Sequence, residues 1–443
     1  MFSNGLRFWG ACVTRRATSA GIKTNAILKD THQGVGSPES VSKGPLHGVR
    51  ILDLSRVLAG PFCTMLFGDL GAEVIKVEQP GVGDDTRGWG PPFAGDQSCY
   101  YLSVNRNKKS VAINLKTPGG KRLIRELATK CDILVENFVP GKLAEFGLGY
   151  EDLKILAPSL IYCSITGFGP DGPYANRAGF DVIAAAMGGL LHITGPEDGE
   201  PCAVGIAITD LSTGLFAKGA ILAALYQREK TGLGQKIDCN LLSTQVALLI
   251  NRATDYLMTG MEAKRAGTGR ISIVPYQAFK TKDDRYLVIG AGNDNLFRSL
   301  CKVIKLGYLL EDDRFLKNED RVKHRGTLIP IIQKRLMEKS LSEWLEILDG
   351  TTLPYSPVQS MEQVFNDPQV LHNNLLLEMQ HKSMGTIKVP GPATSYSHST
   401  QTEHSPPPLL GEHTVDVLHT VLGLTPQEID KLKTEGTIDA HQT

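Results

Sequence analysis

The sequence lacks several features that usually announce a function. Its eight cysteines, Cys12, Cys63, Cys99, Cys131, Cys163, Cys202, Cys239 and Cys301, are scattered singly, with no C-x-x-C pair. That argues against a disulfide framework or a zinc site and points to a reducing compartment. There is no H-E-x-x-H, so no metal is indicated. There is no G-x-x-x-x-G-K-[ST], and the first strand–helix turn, "LSRVLAGPF", lacks G-x-G-x-x-G, which argues against a dinucleotide enzyme. Neither charge is in excess, since 47 Lys+Arg balance 47 Asp+Glu. A nucleic-acid or membrane-surface partner would favour a basic excess or stripe, so neither is expected. The apolar runs read as too short to span a bilayer; the longest, near Val182–Leu191, is broken by paired glycines.

What is present is a chain of 443 residues, 41% apolar and 21% charged, the make-up of a soluble globular protein with room for more than one domain. Its amino terminus differs from the rest. Arg7, Arg15, Arg16, Lys23 and Lys29 stand among small and hydroxyl residues, with no acid before Asp30. This pattern predicts a mitochondrial transit peptide or disordered leader over residues 1–37, and so a place in the mitochondrial matrix. The folded chain is expected to begin near Pro45.

From Leu46 onward, short β runs alternate with helical patterns. "VRILDLS", "EVIKVEQ", "CDILVENF" and "LIYCSITGF" read as strands. "GPFCTMLFGDLG" reads as a helix with Pro61 in its first turn, and "KTPGGKRLIRELATK" as one capped by Thr117. Repeated strand–helix–strand units predict an α/β fold, a Rossmann-like large domain with a parallel sheet over residues 44–245, to which 360–443 return. "STQVALLINRATDYLMTG" reads as one long amphipathic helix. "GTGRISIVPYQAFKTKDDRYLVIGAG" reads as two strands around a turn at Lys282–Asp284, and two helical segments follow up to Gly350. A smaller α+β domain is expected over 267–350, with linkers at 246–266 and 351–359.

Two stretches carry candidate chemistry. "NRNKKSVAINLK" gathers Arg106, Lys108, Lys109 and Lys116, which could neutralise phosphates or simply form a solvated basic edge. In "AITDLSTGLFAKGAILAALYQ", Asp210 stands at the start of an apolar helix. Locally, a helix cap is the better reading, stabilising by about 1 kcal/mol. The same environment would keep a partly buried carboxylate ionised, the form a nucleophile needs.

"GVRILDLSRVLAGPFCTMLFGDLGAEVIKVEQPGVGDDTRGWGPPF", "NRNKKSVAINLKTPGG", "DILVENFVPG", "GFGPDGPYANRAGFDVIAAAMGGL", "TGLGQKID" and "PLLGEHT" together resemble the family III CoA-transferases, in order and spacing from about Leu46 to the C-terminus. The resemblance implies an interlocked homodimer and no permanently bound cofactor, with coenzyme A thioesters as substrates. It places the nucleophile on Asp210 of "TDLSTG". It implies CoA contacts at Arg56, Leu58 and Ala59, at Ile113 to Lys116, at Asn137 and Phe138, and along Arg177 to Phe180. Gln79 and Glu145 stand where the formyl-CoA transferase type has arginines, so Arg106, Lys108 or Lys116 would have to substitute.

The implied reaction is CoA transfer from succinyl-CoA to a dicarboxylate such as glutarate or 3-hydroxy-3-methylglutarate, through an acyl-aspartyl anhydride and an aspartyl-CoA thioester. Arg106, Arg177 and Arg252 are the candidates for the distal carboxylate. Two alternatives stay open. The racemases of the family carry His before the Asp of "G-x-D"; here Phe180 precedes Asp181, which disfavours two-base proton transfer and leaves Asp181 a structural role. A non-catalytic CoA-binding protein is the other.

Overall fold

The computed structural model describes residues 44–399 and 403–441; the expected leader and Cys12 lie outside them. Six parallel strands form the main sheet: β1 (Arg50–Asp53), β2 (Glu73–Glu78), β3 (Lys108–Ile113), β4 (Ile133–Glu136), β5 (Ile161–Thr166) and β6 (Lys236–Asn240). In space they run β3-β2-β1-β4-β5-β6, and a two-residue strand, Ile438–Asp439, closes the β3 edge antiparallel. Both faces of β1 to β5 are covered, which is why apolar runs mark them, whereas the edge strand β6, KIDCN, is polar and partly exposed. Leu52, Ile75, Val111 and Leu134 face a core shared with helices Pro118–Ala128 and Thr414–Leu422. Ile51, Val74, Ile133 and Ile161 face a second core built on helices Ala59–Gly68 and Ile208–Thr231. The strand order reverses between β1 and β4. In open α/β sheets a ligand crevice lies at that point, outside the carboxyl ends of the strands.

The expected caps are in place. Thr117 accepts the Gly120 N–H at 3.0 Å, and Pro118 opens the helix. A three-stranded antiparallel sheet follows further on, with Tyr286–Gly290 between Tyr276–Lys280 and Tyr355–Pro357. It packs on helices through Phe279, Ile289, Phe297 and the fully buried Trp344, whose indole N–H donates to the Leu336 carbonyl at 2.7 Å.

Four expectations need correction. The stretch read as one amphipathic helix is two, Leu241–Leu248 and Asn251–Thr259, broken at Ile250, whose φ is +42°; neither Gly nor Pro announces the break. Between Asp294 and Gly350 there are five α-helices and a 3-10 turn rather than two helical segments. The stretches expected to be linkers contain the helix Asn251–Thr259 and the strand Tyr355–Pro357. Finally, helix Ile208–Thr231 is long and apolar enough to cross a membrane by length and composition. Gly214, Lys218 and Gly219 disguise the run. In the fold it is a core helix, with Ala217, Ile221 and Ala224 buried against the sheet.

Candidate active site

The loop leaving β1 is held from below by buried charge. The fully buried Asp53 meets the Lys108 ammonium at 3.0 Å and accepts from Ser55 and Thr64 at 2.5 and 2.6 Å. Lys76 donates to Asp84 at 2.8 Å and to the Ser55 carbonyl at 2.8 Å. Burial alone would raise the Asp53 pKa, but Lys108, Lys76 and the two hydroxyls overcome it and hold the group at about 2. Burial pulls Lys108 down to about 8 against the attraction of Asp53.

This network removes the predicted phosphate binders. Lys108 is fully buried beneath the loop, Arg106 is buried against Asp69 at 2.6 Å, and Lys109 pairs with Glu73 at 2.9 Å. Of the basic stretch only Lys116 faces solvent without an ion pair among the described residues. A sequence cannot tell which lysines will find a buried carboxylate tens of residues away.

Above the network, Asn137 grips both sides of one residue. Its side-chain oxygen accepts the Arg56 N–H at 2.9 Å, and its amide donates to the Arg56 carbonyl at 2.7 Å. The loops after β1 and β4 are thereby tied across the point where strand order reverses. Val57, next in line, has φ +69°, a left-handed conformation that costs a β-branched residue about 1–3 kcal/mol; Asp84 accepts its N–H at 3.2 Å. Glu136 supports the β4 side. Its buried carboxyl accepts from the Phe138 N–H at 2.8 Å and from the Ser164 hydroxyl, and burial raises its pKa.

Asp210 lies in the first turn of helix Ile208–Thr231, whose N-cap residue, Ala207, offers no side-chain acceptor. The cap comes from elsewhere. Asp181 Oδ1 accepts the N–H groups of both Thr209 and Asp210, at 2.8 and 3.0 Å. The Asp210 carboxylate is thus released from capping, and among the described residues it makes no hydrogen bond. Nor does the helix terminus keep it firmly ionised, as the sequence suggested. Burial, and then the neighbouring Asp181 charge, push it up to about 7.

Close backbone packing sets this geometry. A Cβ on Gly167 would come within 2.7 Å of the Gly179 Cα, so two backbone segments cross there and deliver Phe180 and Asp181. A Cβ on Gly214 would meet the Ala59 carbonyl at 2.7 Å, which fixes the Asp210 helix against the β1 loop.

Two adjoining clefts open at this end of the sheet. The first, of about 490 Å³, is lined by Arg56, Leu58, Ala59, Asn137, Phe138, Arg177, Phe180 and Asp210. The second, of about 430 Å³, holds Gln79, Ile113 and Lys116, and shares Arg56 and Phe138 with the first. The nucleophile and the CoA contacts singled out from sequence therefore converge on the two clefts, apart from Asn114, which lines neither. The candidates for a distal carboxylate do not. Arg177 reaches the first cleft, with its guanidinium 4.8 Å from the Tyr174 ring centroid. Arg106 is locked in its ion pair, and Arg252 lines neither cleft.

Three groups went unnoticed in the sequence. Asp85 pairs with Arg56 at 2.9 Å, Trp89 lines the first cleft, and Tyr100 packs edge-on against Trp89 at 5.3 Å. Burial, then Asp210, raise the Tyr100 phenol to about 12, so it stays a proton donor. "GDDTRGWGPPF" was visible as a motif, but nothing in it marks which side chains turn inward.

The chain from 46 to 414 matches the model of CoA-transferase family III. The chain belongs to this family. The transferase is 57% identical over 410 residues to succinyl-CoA:glutarate CoA-transferase of Mus musculus, covering 92% of this chain and 94% of that protein. It is 41% identical to succinate–glutarate CoA-transferase of Agrobacterium fabrum, over 85% and 95% of the two chains. A solved CAIB/BAIF family protein from Brucella suis superimposes with TM-score 0.77 at 37% identity, covering 86% of the transferase and all, 100%, of that structure. The transferase accordingly acts on acyl-CoA substrates.

Proposed function

We propose that the enzyme moves CoA from succinyl-CoA to glutarate or a related dicarboxylate, with Asp210 as the covalent nucleophile. The donor and acceptor come from the activities of its relatives. The observation that carries the assignment of Asp210 is the cap supplied by Asp181, which leaves the Asp210 oxygens unengaged at the cleft wall.

An Asp210 oxygen attacks the thioester carbonyl and expels CoA thiolate, forming an acyl-aspartyl anhydride. The thiolate returns to the aspartyl carbonyl, forming an aspartyl-CoA thioester and freeing succinate. The acceptor carboxylate attacks that thioester to give a second anhydride and thiolate. Attack of the thiolate on the acceptor's carbonyl releases the new thioester and restores the carboxylate. Each step makes one acyl bond and breaks one, which is how covalent catalysis divides a difficult exchange into near-balanced steps. Arg56, Leu58, Ala59, Asn137 and Phe138 then line the route of the pantetheine, and Arg177 is the candidate for the distal carboxylate.

A homodimer fits the exposed apolar side chains Leu215, Phe216 and Tyr226 on the Asp210 helix and Tyr256, Leu257 and Met258 on Asn251–Thr259. The basic, acid-free leader supports a mitochondrial location, which a fusion of residues 1–37 to a fluorescent protein would test by imaging. For the activity, residues 38–443 are assayed for transfer from succinyl-CoA to a panel of carboxylates, beside Asp210→Ala and Asp181→Asn. Transfer to glutarate-type acids that disappears with Asp210→Ala is expected. Transfer that survives Asp210→Ala, or α-proton exchange without transfer, would reject the reading.

A further inference from the structure

The crossing of Gly167 and Gly179 closes the neck of a loop. The chain leaves the end of β5, makes an excursion of eleven residues, Phe168 to Ala178, and returns to the same place. Compact loops with closed necks hold their shape through their own side chains, and this one does. The Gly169 N–H donates to the Thr166 hydroxyl at 3.0 Å, and the Arg177 N–H to the Tyr174 carbonyl at 2.9 Å. The Phe168 and Tyr174 rings meet edge-on at 6.0 Å. The Arg177 guanidinium lies 5.9 Å from the centre of the first ring and 4.8 Å from that of the second. Two rings thus restrict a side chain that an exposed loop would otherwise leave free.

Four charged side chains line the first cleft: Arg56, Asp85, Arg177 and Asp210. Arg56 and Asp85 neutralise each other at 2.9 Å. Arg177 and Asp210 have no ion-pair partner among the described residues, and they do not pair with each other. A cation and a carboxylate therefore face one cleft and stay apart, the cation held on its own side by the rings. A monocarboxylic acyl group would bring its reacting carbon to Asp210 and leave Arg177 unused. A dicarboxylic one has a second carboxylate to place there, in the fork that a guanidinium matches with two parallel N–H bonds.

We propose that Arg177, steadied by Phe168 and Tyr174, selects dicarboxylates over monocarboxylates and receives the distal carboxylate of donor and acceptor in turn. The inference rests on the transfer reaction proposed above and deepens it. Phe168 and Tyr174 become positioning residues, and one cation suffices because the two acids occupy the cleft at different stages of the cycle.

The test compares each acid with the one in which a methyl group replaces the distal carboxylate: glutarate with pentanoate as acceptors, and succinyl-CoA with butanoyl-CoA as donors. Rates are measured on the full enzyme, and affinity for free CoA by calorimetry. The wild type is expected to favour the dicarboxylic member of each pair by about 10-fold or more in kcat/KM. Arg177→Gln is expected to lower kcat/KM about 10-fold more for the dicarboxylic member of both pairs. Arg177→Lys, which keeps the charge but not the fork, should lose less. Phe168→Leu/Tyr174→Leu is expected to narrow both preferences about 3-fold.

A wild type that does not discriminate, or an Arg177→Gln enzyme that slows both members alike, would overturn the selection. A preference that falls for the acceptor pair alone would overturn the shared use of Arg177, and full preference in the ring variant would overturn the positioning role. A loss of CoA affinity matching the loss of rate would make Arg177 a CoA contact and overturn its role as selector. Transfer without discrimination would leave the proposed function standing. A wild type that transfers CoA between none of these acids would reject the proposed function and this inference with it.

Discussion

Two sets of buried carboxylates sit at the same end of the same sheet, and their surroundings drive them in opposite directions. Asp53 is fully buried yet held at about 2, because Lys108 and Lys76 more than cancel the cost of burial. Asp210 is less buried yet pushed up to about 7, because burial raises it and the like charge of Asp181 adds to burial instead of cancelling it. Burial acts alike on both, and the sign of the neighbour decides the result. The first environment makes a carboxylate a structural strut. The second leaves one reactive, because nothing in the fold uses its charge.

The largest break in this comparison is Asp210→Ala, expected to lower transfer about 10⁴-fold or more with the fold intact, measured by initial rates beside circular dichroism. Next is the strut. Lys108→Met strands Asp53 and should cost about 3–5 kcal/mol in urea unfolding, whereas Lys108→Met combined with Asp53→Leu should recover much of it. Smaller, and opposite in sign, is Asp210→Asn. A carboxyl whose folded pKa is raised costs stability as pH rises from its ordinary value of about 4 through about 7. Removing it should therefore stabilise the fold above pH 7 by about 1–3 kcal/mol and do little at pH 4. Asp53 has the reverse sign, since its contribution is complete above about pH 4 and is lost as pH falls towards about 2. The smallest effect sharpens the comparison without breaking it. Wild-type kcat/KM should rise with pH to a limb near 7, and Asp181→Asn, which keeps the capping oxygen but removes the like charge, should move that limb to lower pH.

Much of this was legible in the sequence where a local signal existed. Alternation of apolar strands with capped helices gave the parallel sheet, down to the Thr117 cap, and the turn at Lys282–Asp284 separates two paired strands. The motif around Asp210 and the segments lining the clefts were likewise readable as runs of residues. What escaped depends on distant pairing or on backbone conformations the sequence does not advertise. Lys108 and Asp53 are adjacent only after folding, so a strand-edge lysine read as a phosphate ligand. Ile250 and Val57 adopt positive φ without being Gly or Asn. The cap on Asp210's own helix comes from Asp181, 29 positions away, which no window around Asp210 could contain.

That borrowed cap bears on where the reaction cycle rests. While Asp181 holds the two N–H groups, it also opposes any negative charge on Asp210. Acylation under the proposed mechanism turns Asp210 into a neutral anhydride or thioester, and the opposition vanishes with the charge. The loaded enzyme is then the relaxed state and the empty one the tense state. A catalyst built this way holds CoA comfortably as its aspartyl thioester between its two substrates, and hydrolysis would only return the opposed charge.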